Sequence, residues 1–297
     1  MNAGPRVSVG LPVYNGERYL PTALESLLLQ SYGDFELLIA DNGSTDGTEA
    51  IVRSYAARDA RIHYIRHPRN LGAIANFDFV RFHTNGEYFR WAAADDVSAP
   101  KFLERCVEVL DRREDVVLAY PETDFIDRQG SITLEFEDSL RADGATPSAR
   151  FQQLFFTLGR CNAVFGLIRR SAMARVGPLG HFLGSDSVFL AALSLCGSFW
   201  RIPERLLQRR FHDQTMTSMA PPARVTSLDP TGSTPGVLLG WQHYWEHWKV
   251  VASASIALRE KVRLTAFLGR MAIADRDRLF RDATTGYVPV DAGARRT

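Results

Sequence analysis

An α/β fold, with a mixed, mostly parallel sheet flanked by helices, is predicted by two observations. Strand and helix signals alternate through the first hundred residues, and a polar cluster, glycine-bearing in three of four cases, adjoins the predicted strand ends. Val7-Ser8-Val9-Gly10-Leu11 reads as a buried strand that stops at Pro12. Leu20, Leu24, Leu27 and Leu28 then share one helical face. Phe35 to Ala40 is a second apolar run, ended by the turn formers Asp41-Asn42-Gly43. Ile51, Val52 and Tyr55 mark a second helix and Ile62 to Ile65 a third strand. Phe77 to Phe82 falls in a third helix and Tyr88 to Trp91 forms a fourth strand. Right-handed crossovers in such βαβ units set the strand C-termini along one edge, where open α/β sheets take up ligands.

After Pro100, Phe102, Val107 and Leu110 indicate a helix and Val116 to Ala119 a strand. Phe125 to Ile132 reads as a hairpin turning at Gln129-Gly130, and 138–147 as a polar loop. A helix through Phe151, Leu154, Phe155 and Leu158, a strand from Val164 to Ile168 and a helix over about 186–196 complete this half. Residues 213–236, rich in Thr, Ser, Pro and Gly, read as a flexible loop or linker. A C-terminal helical extension is expected over 237–297, helical in pattern to 282 and then a tail without order. No internal repeat is found.

The chain has 297 residues, 45% apolar and 23% charged, enough for a sizeable core. A formal net charge of +1 gives no global field to attract nucleic acid or an anionic membrane. Cys106, Cys161 and Cys196 are odd in number and have no metal-type spacing, so buried thiols in a reducing compartment are expected. No signal-peptide core precedes the first strand, and the apolar stretch Phe189 to Trp200 is too short to span a bilayer. The expectation is a cytoplasmic protein without a transmembrane segment, with peripheral contact at the inner membrane face and a homodimer left open.

Four clusters fall near predicted strand ends: Pro12-Val13-Tyr14-Asn15-Gly16-Glu17, Asp41 through Thr48, Asn70-Leu71-Gly72, and Asp95-Asp96. Each alone is explained by turns and helix caps. Together on one edge they point to phosphate binding at helix N-termini. The adjacent carboxylates repel each other, and a divalent cation shared with diphosphate oxygens relieves that repulsion.

The first two clusters, with Asn70-Leu71-Gly72 and Trp91-Ala92-Ala93-Ala94-Asp95-Asp96 in the same order, strongly resemble family 2 glycosyltransferases over roughly residues 5–220. The resemblance implies the GT-A fold in 1–212, with 1–100 as the nucleotide-sugar-binding half and 101–212 as the acceptor-binding half. It implies a nucleoside-diphosphate sugar donor, with UDP the usual base, and a hydroxyl acceptor on a glycan, a lipid-linked group or a small molecule. Transfer would be of the hexosyl type, with inversion, in cell-surface polysaccharide or natural-product glycosylation. Asp41 would receive the base, and Pro12, Tyr14 and Glu17 would line the nucleoside pocket. Asn70 and Gly72 would belong to the donor site. Asp95 would face the ribose or the metal, and Asp96 would ligate Mn²⁺ or Mg²⁺. Ala93 stands where many relatives carry a further Asp, so His212, in Arg209-Arg210-Phe211-His212, is expected to help hold metal or diphosphate. Asp186, opening a helix after Leu183-Gly184-Ser185, is the expected general base, with Glu122 and Asp124 as weaker candidates.

Leu238, Trp241, Trp245 and Trp248 share a helical face. Packing against the catalytic domain or across a dimer is the default expectation; an acceptor platform or membrane-surface helix is the alternative. His243 and His247 have metal spacing but no third ligand, and the basic residues after 258 read as a solvated face. A sugar nucleotidyltransferase is disfavoured because its glycine-rich basic loop is missing after the first strand. A non-catalytic binder of sugar nucleotides has only Ala93 in its favour.

Overall fold

The computed structural model describes residues 4–212 and 239–285. The expected linker at 213–236 and the tail beyond 285 lie outside them. The chain begins β1 (Val7–Val13), α1 (Leu20–Leu28), β2 (Phe35–Asp41), α2 (Thr48–Ala56), β3 (Ile62–Arg66), α3 (Ala73–Phe82) and β4 (Tyr88–Trp91). These follow the expected order. All seven residues of β1 are buried, which explains why its apolar run does not alternate: helices cover both faces. Gly10 permits the close cover on one side, since a Cβ there would stand 2.6 Å from Val80 Cγ2 of α3.

The second half runs β5 (Val97–Ser98), α4 (Phe102–Arg112), β6 (Val116–Ile126), β7 (Ile132–Phe136), α5 (Pro147–Thr157), β8 (Leu167–Arg169), α6 (Arg170–Met173), α7 (Ser185–Ser194) and β9 (Ser198–Arg210). Helix α5 starts where Thr146 accepts the Ala149 N–H and Pro147 follows. Among the described residues one sheet holds nine strands in the order β3-β2-β1-β4-β8-β6-β9-β5, with β7 on β6. Strands β3, β2, β1 and β4 are parallel, β8 runs against β4 and β6, and β6 and β9 are parallel. Six strand C-termini therefore share one edge, while β5, β7 and β8 oppose them.

Three strands depart from the sequence reading. The expected strand Val164 to Ile168 is a 3-10 turn over Asn162–Phe165 followed by the three-residue β8. Strand β9 and its short partner β5 were not anticipated. Strand β9 reads SFWRIPERLLQRR, with neither alternation nor an apolar run. It is recruited by charge across the ladder: Arg201 meets Glu122 at 3.0 Å and Arg205 meets Asp124 at 2.8 Å. Pro203 is accommodated where the register slips between Pro121 and Glu122.

Side-chain alternation divides the core between the two faces. Val9, Leu11, Leu37 and Ile39 join Phe102, Leu103 and Val107 on one side. Leu38, Ala40, Phe89 and Trp91 join α5 and α7 residues on the other. Helices α8 (Leu239–Ser253), α9 (Leu258–Ala274) and α10 (Arg276–Thr285) add Tyr244, Val251, Leu264, Phe267 and Leu279 to this second core. The extension thus packs on the α/β body, with Phe155 and Phe267 rings 5.3 Å apart, and its last helix runs three residues past the expected end at 282. Its packing face is Tyr244, His247 and Val251, whereas Trp241, Trp245 and Trp248 stay 47%, 57% and 40% exposed. The tryptophan stripe is therefore not this helix's buried face. No helix among the described residues is long and apolar enough to cross a membrane.

Candidate functional site

The loops after β1 and β2 are stitched together by their own polar side chains. The Asn15 N–H donates to Ser44 Oγ, Thr45 N–H to Asn15 Oδ1 and Gly16 N–H to Thr48 Oγ1, each at 2.9 Å. Glu17 accepts the Gly47 N–H at 2.8 Å, and its own N–H donates to Asp46. Asn15 takes a left-handed φ of 51° and Gly43 one of 75°, which turns both loops back over the edge. Asn42 locks the third cluster in place: its Oδ1 accepts the Leu71 N–H, and its Nδ2 donates to Asn70 Oδ1. Asn70 also accepts the Gly72 N–H at 2.8 Å, and Gly72 opens α3 with φ 89°.

Four of the expected nucleoside residues thus gather at one edge. Tyr14 and Glu17 are exposed there, and Pro12 is buried beneath them. Asp41 is fully buried. Its Oδ1 accepts the Ser44 N–H, its Oδ2 accepts the Tyr64 hydroxyl at 2.8 Å, and Arg66 stands 3.4 Å away. Burial and the Asp41 carboxylate both push the Tyr64 phenol upward, so it stays a donor.

Asp95 and Asp96 leave the end of β4 in opposite directions. Asp95 Oδ2 lies 2.9 Å from His212 Nε2, a pair 117 residues apart in the chain. Asp96 turns inward: Oδ1 accepts the Arg210 N–H at 2.9 Å and Oδ2 faces Arg209 Nε at 3.8 Å. Burial and the neighbouring Asp95 charge raise the Asp96 carboxyl to about 7. Arg90, buried behind β4, reaches the Ser98 hydroxyl and stacks 3.6 Å from the Phe102 ring centroid. Burial draws this guanidinium down to about 10. Its role is to tie β4 to β5 directly around the carboxylate pair.

A divalent cation fits this arrangement. Two neighbouring ligands at about 2.1 Å from an octahedral ion lie about 3 Å apart, matching the Asp95–His212 separation. Among the described residues no group of three His, Cys, Asp or Glu side chains is placed to hold an ion alone, so the remaining ligands would come from diphosphate and water.

The raised Asp96 carboxyl has a sign. Its stabilising contribution is complete below the ordinary unfolded value of about 4 and is lost as pH rises through about 7. Cation-free wild type should therefore lose melting temperature relative to Asp96→Asn between pH 4 and 8. Cation uptake should strengthen over the same window, because the ion displaces the proton. Parallel pH profiles for the two proteins would remove this role of Asp96.

Asp186 lies in the first turn of α7, half-buried, with Oδ1 accepting the Ser187 N–H. Cys161, held at φ 53°, sits against it, and burial and then the Asp186 charge push this thiol far up, leaving it a neutral donor. Arg209 acts on the same thiol and donates to Asn162 Oδ1 at 2.7 Å, so it links the Asp186 and Asp96 regions. Glu122 and Asp124, the weaker candidates, are engaged with Arg201 and Arg205. Tyr19, which the sequence reading passed over, lies beneath His212 with ring centroids 4.9 Å apart. His247 Nδ1 pairs with the His243 carbonyl within α8, so this helix pair serves packing. The cysteines are unpaired, with Cys106 buried and the other two partly so.

This nine-stranded mixed sheet, with its carboxylate pair at the β4 end, defines a GT-A-type fold. The chain belongs to glycosyl transferase family 2, which residues 8–177 match. It is similar to EpsE of Bacillus subtilis, a candidate glycosyltransferase, at 41% identity over 38% of this chain and 41% of that protein. An uncharacterised glycosyltransferase of Methanocaldococcus jannaschii is 35% identical over 45% of this chain and 47% of its own. The matches thus span less than half the length of these curated relatives. Among solved structures, TarS 1-349 of S. aureus with UDP-GlcNAc is similar with a TM-score of 0.66 at 14% identity, covering 91% of this chain and 73% of TarS. A Pyrobaculum calidifontis mannosyltransferase with GDP-Man and Mn²⁺ gives 0.52 at 16% identity, covering 94% and 84%.

Proposed function

We propose that this chain moves a hexosyl group from a nucleoside-diphosphate sugar, with UDP as the base to test first, to an acceptor hydroxyl with inversion, assisted by Mn²⁺ or Mg²⁺. Cell-surface polysaccharide and natural products are the acceptor settings that suit such a reaction. The observation that carries this reading is the Asp95–His212 pair beside buried Asp96 at the β4 end. The nucleotide-bound neighbours, one with Mn²⁺, support it through the fold.

In this reading Tyr14 and Glu17 border the nucleoside, and Asp41 fixes the loop beneath the base through Ser44 and Tyr64. Asn70 and Gly72 hold the α3 N-terminus at the donor. Asp95 and His212 would hold the cation, and Asp96, whose Oδ2 faces Arg209 in this structure, would join them only by leaving that contact; the ion would supply neutralisation of the leaving diphosphate. Arg209, now 3.8 Å from Asp96, provides a cation for a phosphate oxygen. Asp186 removes the acceptor proton as its oxygen attacks the anomeric carbon, and the donor's C–O bond to the diphosphate breaks. Cys161, protonated and donating, orients that carboxylate.

Thermal melting with UDP, GDP and dTDP, each with and without Mn²⁺, tests the donor site. One nucleotide at about a hundredfold excess over its Kd should raise the melting temperature by about 4–5 °C with Mn²⁺. Asp96→Ala should lose the metal-dependent part. No shift with any nucleotide under either condition would sink the donor-site reading.

A further inference from the structure

Helix α9, LREKVRLTAFLGRMAIA, carries four basic residues and one acid. The acid is turned inward: Glu260 is buried and accepts the Ser148 N–H at the start of α5, 3.0 Å away. Lys261 is engaged as well, with Nζ donating to the Ala252 carbonyl of α8. The arginines point outward. Arg259 and Arg263 keep side-chain exposures of 81% and 62%, and Arg270 is exposed. At i, i+4 and i+11 they form one stripe along the helix.

A second stripe runs beside it. Leu258, Val262 and Ile273 fall at i, i+4 and i+15, and they are 76%, 60% and 66% exposed. Single exposed apolar residues are ordinary, but a row of them along one helix is not what a solvated face requires. Helix α8 widens the row. Trp241 donates to the Leu279 carbonyl of α10 at 3.1 Å, and Ala252, which Lys261 reaches, lies one turn beyond Trp248 on the same stripe. The tryptophan side of α8 therefore borders the α9–α10 pair. Trp245 and Trp248, with rings stacked 5.1 Å apart, lie between these two contacts. The outer face of the extension thus sets tryptophan, aliphatic and arginine side chains in adjacent rows, and α9 adds no outward acid. Glu246, Asp275 and Asp277 on the flanking helices each stand against a base.

We propose that this face lies on an anionic lipid surface, with the aliphatic row and the two tryptophans at the headgroup boundary and the arginines on lipid phosphates. Charge complementarity selects this occupant. A second copy of the chain meeting the same face across a twofold axis would set arginines against arginines, whereas an anionic bilayer pairs them. The attraction is local, since the whole chain carries a net charge of only +1. Helix α9 has 17 residues, about 25 Å, which suits a helix lying along a bilayer rather than crossing it. The proposal does not depend on the transferase reading, because α9 supplies none of the residues assigned to donor, metal or base.

Flotation of the full chain with vesicles tests it, using phosphatidylcholine alone and an equimolar mixture with phosphatidylglycerol, at about 0.1 M salt. The chain should bind the mixed vesicles with a blue shift of tryptophan emission, and neutral ones at least about tenfold more weakly. Arg259→Gln with Arg270→Gln should weaken binding to the mixed vesicles by about tenfold or more, since each arginine at an anionic surface contributes about fivefold. Val262→Gln with Ile273→Gln should weaken it too and reduce the blue shift. All four side chains are exposed, so both variants should keep the wild-type melting temperature and nucleotide response. No binding to the mixed vesicles, equal binding to neutral ones, or binding that survives both double variants would overturn the proposal. So would a dimer that forms without vesicles and that Val262→Gln with Ile273→Gln dissociates, because a second copy would then cover the face.

Discussion

Asp96→Asn is expected to lower kcat/KM for sugar transfer by at least about a hundredfold, the scale of removing a group that stabilises charge on the leaving oxygen. The substitution is chosen because it spares the fold. An asparagine side-chain carbonyl can still accept the Arg210 N–H, so the link from β4 to β9 survives. What it removes is the negative charge that faces Arg209 and that a cation would share with Asp95. The variant also mimics wild type with Asp96 protonated, so the two should converge below pH 7 and separate above it. Rates are read by nucleoside-diphosphate release over a Mn²⁺ titration. A variant with wild-type turnover and an unchanged Mn²⁺ requirement would show that Asp96 only anchors β9.

Asp186→Asn is expected to reduce kcat by about 10²–10⁴, the range for loss of a positioned general base, with the UDP-induced melting shift unaltered. Geometry separates the two roles. Asp186 opens α7 on the far side of Arg209 from Asp96, and its contacts are the Ser187 N–H and the Cys161 thiol rather than any donor-side loop. The amide oxygen can still accept the Ser187 N–H, so the α7 N-terminus should persist. If UDP binding falls together with kcat, Asp186 belongs to the donor site; if kcat holds, the base lies elsewhere.

The first hundred residues were legible because their information is local. Turn formers, caps and apolar runs within a few residues of one another specify β1 to β4 and the loops between them. The stitches among Asn15, Ser44, Thr45 and Thr48 involve residues already conspicuous in two adjacent clusters. Even there the sequence did not reveal that Asp41 is sealed beneath Ser44 and Tyr64, because burial depends on what covers a residue and not on its neighbours in the chain.

The rest of the chain was read less well, and each miss has a physical cause. Strand β9 lacks strand periodicity because Arg201 and Arg205 answer carboxylates on β6, a complementarity visible only once the ladder register is known. The tryptophans of α8 look like a core stripe by spacing, but the core took the neighbouring face, where Tyr244, His247 and Val251 are buried and the first two meet Phe155.

The sequence by itself determined the α/β class, the order of the first seven elements, the family resemblance and the identity of the carboxylates. Those follow from interactions spanning one turn or one strand. Only the tertiary structure decided that His212 meets Asp95 across 117 residues and that Arg209 stands between Asp96 and Cys161. These are products of sheet order and helix packing, where long-range burial and ladder register outweigh local preference.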